Sequence, residues 1–293
     1  MASNAEASLA GMDAPRVEQL RLHARHALRH RWLYIVGDSS MRMLFGAIVW
    51  LLNGSLADPR FGSFVRHSHG GCMVNLSAAT TDPRCRDNLV HPSVELAALC
   101  LPACTREYVD LRGGYRVTFS FKTFVDHPVR EVEQLVSPSH VPAVMLLATG
   151  AWDISYRPSA VDPSEKAIVS IADTRLLAER VVQWGEGVRC ASRQGDSVPR
   201  VVFATLVTCH WRERERLLGR AFNAAIRQML RGTRQNSSES PLSLLDREPT
   251  TNFTSPKRPV KLSQDGRNCE GWHAYGAVVL EHIAEFLHEI HSS

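Results

Sequence analysis

The apolar run Leu33-Tyr34-Ile35-Val36 stops at Gly37-Asp38-Ser39, and helical spacing takes over at once through Met43, Leu44, Ala47, Ile48, Leu51 and Leu52. The unit reads as strand, sharp turn, helix. Apolar runs of this kind recur. Val141 to Ala148 is closed by Thr149-Gly150, and Val201 to Val207 ends at Thr208-Cys209-His210. Runs without polar alternation predict strands buried on both faces, as in parallel sheets. Tyr115 to Val125 alternates as a further strand, and a short strand is predicted at 242–245. Helices are predicted over 16–31, 40–52, 168–183, 212–231 and 272–290. Strands separated by helices predict an α/β fold, a three-layer α/β/α sandwich around a central parallel sheet. Residues 1–15 read as disordered, 16–31 as a basic amphipathic helix in an N-terminal extension over 1–31, and 32–293 as one domain. The apolar side of that helix is set by Val17, Leu20, Leu28 and Leu22. Its cationic face suits an acidic surface or simply solvent.

In a sheet of this kind, sites collect at the carboxyl ends of the strands. Three chemically loaded turns fall there: Gly37-Asp38-Ser39, Thr149-Gly150-Ala151-Trp152-Asp153 and Thr208-Cys209-His210. Asp and Ser both favour helix N-caps, so the first turn reads as a cap. It also reads as an exposed nucleophile backed by helix N–H groups and the positive end of the dipole. Arg42 lies one helical turn beyond Ser39 and is read either as a brace for the turn or as a clamp for an anionic substrate. Trp152 is read as core packing or as a surface beneath an acyl or sugar group. His210 is read as a substrate contact, an alternative base or a structural histidine.

At 293 residues, with 44% hydrophobic and 22% charged residues, the chain can bury a sizeable core. A net charge of +4 gives no ground for a nucleic-acid partner. No apolar run reaches the roughly 18 residues of a membrane span, and Met1 to Leu20 lacks a signal-peptide core. The chain therefore reads as cytoplasmic as given. Four sequons, at Asn53, Asn75, Asn236 and Asn252, fit a secretory compartment instead. Of the seven cysteines, Cys72–Cys85 or Cys100–Cys104 fit disulfides, and buried free thiols fit as well. His67-Ser68-His69 has no third ligand at metal spacing, and His91 lies in the same Gly-, Asp- and His-rich stretch over 53–95, so no metal is expected.

These turns, in this order, resemble the SGNH (GDSL-like) hydrolase superfamily, and within it the PC-esterase branch that includes the trichome-birefringence-like O-acetyltransferases. The likeness rests on Gly37-Asp38-Ser39-X-X-Arg42, on Val144-Met-Leu-Leu-Ala-Thr-Gly-Ala-Trp-Asp-Ile154, on Val202-Phe-Ala-Thr-Leu-Val-Thr-Cys-His210, and on Leu244-Leu245-Asp246 followed by Asp265-Gly266-Arg267. The resemblance implies an SGNH/flavodoxin-like sheet and a Ser-His-Asp triad with Ser39 as nucleophile. It also implies a small-molecule or glycan acyl ester as substrate, and no cofactor. Two positions depart from it. Asn268 stands where the family has histidine, so either the base falls to His273, with Asp265 as its orienter and Glu270 in reserve, or the base is lost. Ala148 stands where the family has an oxyanion asparagine. Asp153 and main-chain N–H groups of Ser39 and of Gly70 or Gly71 are left near that place. Gly37, Asp38, Arg42, Gly150, Trp152, Asp153 and His210 complete the expected oxyanion and substrate-binding set. The alternative is a catalytically weakened binding protein on the same fold. The sequence leaves the oligomeric state unspecified.

Overall fold

The computed structural model describes residues 14–53, 106–110, 113–122, 124–126, 141–157, 159, 162, 165–191, 199–208, 212–236, 242–248, 267–270 and 273–291. In chain order the elements are α1 (Ala14–Leu28), β1 (Trp32–Gly37), α2 (Ser39–Asn53), β2 (Arg106–Asp110), β3 (Tyr115–Phe121), β4 (Val144–Ala148), α3 (Ala151–Tyr156), α4 (Ile171–Ala191), β5 (Arg200–Ala204), α5 (Glu213–Asn236), β6 (Leu242–Leu245), β7 (Arg267–Glu270), β8 (His273–Gly276) and α6 (Ala277–His291).

The main sheet runs β2-β3-β1-β4-β5-β6. β3, β1, β4, β5 and β6 are parallel, and β2 adds an antiparallel edge. Taken in chain order, the parallel strands lie second-first-third-fourth-fifth, the doubly wound order of flavodoxin-like sheets. The chain leaves β1 toward β3 on one side and resumes at β4 on the other. The topological switch point therefore lies between β1 and β4, where Gly37 pairs with Ala148.

Period-2 alternation sends strand residues into two cores. Leu33, Ile35, Val117, Phe119 and Leu146 pack against α1, α2 and α6. Tyr34, Val36, Met145, Leu147 and Phe203 pack against α3, α4 and α5. The three layers follow. α2 is apolar nearly all round, and its side chains from Met43 to Leu52 are buried except at Gly46, so it needs cover on every side. The sheet, α1, α6 and the β7–β8 hairpin supply it. On α1, Ala24, Ala27 and Leu28 are buried and Val17 and Leu20 pack against the core, whereas Leu22 is left 59% exposed.

Three sequence expectations are corrected. The closing helix begins at Ala277, not Trp272, because His273–Gly276 pairs with Arg267–Glu270 as an antiparallel hairpin. α4 runs from Ile171 to Ala191, not from 168 to 183. Gly185 sits where a Cβ would come within 3.0 Å of the Phe203 ring, so it marks a close helix–sheet approach and not a helix end. β3 ends at Phe121, not Val125.

Candidate active site

β1 delivers the first turn to the switch point. A Cβ on Gly37 would lie 2.4 Å from the Ala148 carbonyl and 2.4 Å from Met41 Cγ, so only glycine lets β4 and the start of α2 approach this closely. Asp38 takes the capping role. Its Oδ1 accepts from the Ser40 N–H at 2.8 Å and from Ser40 Oγ at 2.7 Å, and its carbonyl accepts from the N–H groups of Met41 and Arg42 at 3.1 Å. Ser39 is left as the half-buried residue at the first position of α2, between Asp38 at 1% and Ser40 at 5% exposure. Arg42, also half-buried, follows one turn on.

A charged cluster lies beneath this turn. Arg247, just past β6, is 1% exposed. Its Nε donates to the Thr205 carbonyl at 2.6 Å and its Nη1 to Ser40 Oγ at 3.3 Å, while its own N–H donates to Thr205 Oγ1 at 2.8 Å. Burial pulls its pKa down to about 10, and the nearby Asp38 opposes that. Burial also raises the Asp38 carboxyl, against its Ser40 hydrogen bonds and the Arg247 charge. His282 on α6 is buried and hydrogen-bonded to the Arg247 main chain. Burial, then the Arg247 charge, push its pKa down to about 3, so it is neutral.

On the β4 side, Gly150 precedes α3 with φ 117°, a conformation that favours glycine. Trp152 is half-buried and meets Phe121, Phe124 and Tyr156 with ring centroids 6.2, 6.4 and 5.1 Å away. Asp153 is fully buried. Arg157 Nε donates to its Oδ1 at 2.8 Å, and the Val125 N–H donates to its Oδ2 at 3.3 Å. Desolvation outweighs this pairing and raises the Asp153 pKa to about 6. Lys122, 2% exposed just past β3, donates its main-chain N–H to the Gly37 carbonyl at 2.8 Å. Burial lowers its pKa to about 8, with Asp153 and Asp126 opposing.

Three buried side-chain oxygens lack a hydrogen-bond partner among the described residues: Asp38 Oδ2, Thr149 Oγ1 and Thr208 Oγ1. Asp38 and Thr149 directly follow β1 and β4, and Thr208 lies four residues past β5. An unsatisfied buried hydroxyl costs about 1–3 kcal/mol.

The hairpin reaches the same edge. α6 passes Arg247 at His282 and reaches Arg200, the first residue of β5, at Glu289, whose Oε1 accepts at 3.1 Å. α6 therefore runs from the carboxyl edge of the sheet to the amino edge. β8 precedes α6 directly and lies beside α2, so the strand that carries His273 leads into α6 at that edge through Gly276. Its cross-strand partner is Glu270.

Asp265, His210, Cys209, Gly70, Gly71, His67, His69, His91 and the four cysteines from Cys72 to Cys104 lie outside the described residues. Among the described residues no helix is long and apolar enough to cross a membrane, and no three ligating side chains are grouped to hold a metal. Sequence reasoning missed Arg247, His282, Thr205 and Lys122. Only Lys122, a lone lysine ending an alternating strand, left a local trace. Compared with protein-family models, with curated proteins and with solved structures, the chain finds no match.

Proposed function

We propose that the protein is a serine acyl-ester hydrolase or O-acyltransferase of SGNH type, similar to the PC-esterase branch, acting on a small acyl group carried by a glycan or small molecule. The observation that supports it most is the position of Ser39. It is the half-buried first residue of a fifteen-residue helix at the switch point, next to an aspartate that already serves as the cap. Ser39 Oγ attacks the ester carbonyl and His273 takes its proton, oriented by Asp265 or by Glu270. Collapse of the tetrahedral adduct passes that proton to the leaving alcohol and leaves acyl-Ser39. Water or an acceptor hydroxyl then takes the acyl group, losing its proton to the same imidazole.

A fluorophosphonate probe tests this reading. Stoichiometric labelling that disappears in Ser39→Ala is expected; labelling that survives Ser39→Ala overturns it. His273→Ala should slow ester turnover by at least about 10²-fold, and a change within twofold would exclude His273 as the base. The second reading, a binding protein with weakened chemistry, is favoured by Asn268 and Ala148. An unlabelled wild-type protein that still binds an acylated glycan would establish it.

A further inference from the structure

We infer that Thr149 Oγ1 donates the hydrogen bond to the developing oxyanion that Ala148 cannot supply; the inference rests on the Ser39 reading above. Ala148 is fully buried in the core beneath α2 and carries no polar group. The next residue, Thr149, is 1% exposed, and its hydroxyl has no hydrogen-bond partner among the described residues. Native proteins rarely leave such a group unused.

Its placement suits the role. Gly37 and Ala148 are register partners on adjacent parallel strands. Thr149 therefore follows at the level of Asp38, about 5 Å across the sheet, one residue from the proposed nucleophile. The backbone after it is fixed. Gly150 holds φ 117°, where a Cβ would meet the Phe222 ring at 3.0 Å, and its carbonyl accepts from the Ile154 N–H at 3.0 Å. A hydroxyl rotates freely to donate where charge appears, and donation to an oxyanion is charge-assisted. The N-terminus of α2 adds its positive dipole at the same place. Thr208 is an internal comparison. Its hydroxyl is equally buried and equally without a partner among the described residues, but it lies four residues past β5, the strand on the far side of β4 from β1.

The test is the rate of fluorophosphonate labelling of Ser39 alongside the melting temperature. Thr149→Val replaces the hydroxyl by a methyl of the same shape. Labelling should slow by about 10²-fold or more, while the melting temperature holds or rises because a buried unsatisfied hydroxyl is gone. Thr149→Ser should restore labelling to within about tenfold of wild type, and Thr208→Val should label at the wild-type rate. Wild-type labelling in Thr149→Val overturns the inference and leaves Ser39 standing. So does a loss of labelling that tracks a fall in melting temperature, or equal slowing in Thr208→Val. A wild-type protein that is not labelled overturns the Ser39 reading and this inference with it.

Discussion

At the amino end of the sheet, polar groups meet partners. Trp32 Nε1 donates to Thr118 Oγ1 at 2.9 Å, the Arg116 guanidinium lies 3.9 Å over the Trp32 ring, and Arg200 reaches Ser243 and Glu289. At the carboxyl end, β1, β4 and β5 lead to Asp38, Thr149 and Thr208, each with an oxygen that lacks a partner among the described residues, beside a fully buried arginine and histidine. Both ends belong to one sheet and one pair of cores. The contrast separates what the fold needs from what it tolerates: the amino end is finished for stability, and the carboxyl end forgoes hydrogen bonds to keep polar atoms in place.

Substitutions at the two ends break or sharpen this contrast. The largest effect is expected from Arg247→Met. It leaves Asp38 buried without its countercharge and should cost about 3–5 kcal/mol in urea unfolding. A loss below about 1 kcal/mol would mean that the cluster does not hold the edge together. Gly37→Ala comes next. Its methyl would drive into the Ala148 carbonyl, so a loss of about 1–3 kcal/mol is expected.

Acid should act on the carboxyl end first. The pKa of His282 is about 3 in the fold against an ordinary 6.5. The unfolded chain therefore binds the extra proton, and this contribution to stability is complete above 6.5 and declines as pH falls toward 3. Between pH 7.5 and 5.5 the loss from this group is about 1 kcal/mol. Asp153, raised to about 6, works in the opposite sense: its fold binds the extra proton, so its contribution falls as pH rises from 3.8 through 6. The difference between wild type and His282→Gln cancels Asp153 and isolates the histidine. Equal pH slopes in the two proteins would show that His282 is not held neutral. The smallest effect is expected at the amino end, where Arg200→Met breaks a half-exposed pair with Glu289 and should cost under about 1 kcal/mol in the same urea assay.

The parallel strands were legible because burial on both faces removes polar residues from them. β1 is buried at all six positions, and its sequence is a bare apolar run. β2 was not legible. Arg106-Glu107-Tyr108-Val109-Asp110 is charged at three of five positions, as an edge strand permits, and β7, Arg267-Asn268-Cys269-Glu270, is as polar. The turn that carries Ser39 could be read locally, since strand, glycine, cap and helix follow in one stretch. The cluster beneath it could not. Asp38, Thr205, Arg247 and His282 are spread over some 240 positions, and only the sheet order and the direction of α6 bring them together. Nor does any local pattern in the sequence distinguish the unsatisfied hydroxyl of Thr149 from an ordinary threonine at a strand end.

The cover of α2 has a consequence for how the protein is made. α2 is complete once Asn53 has left the ribosome, yet α6, which helps to bury it, ends at His291. At about 5–20 residues per second, that helix waits for tens of seconds with an uncovered apolar side. The nascent chain thus presents a sticky segment throughout most of its synthesis. Its yield in a cell should depend on the chaperones that meet it during translation more than on the stability of the finished fold.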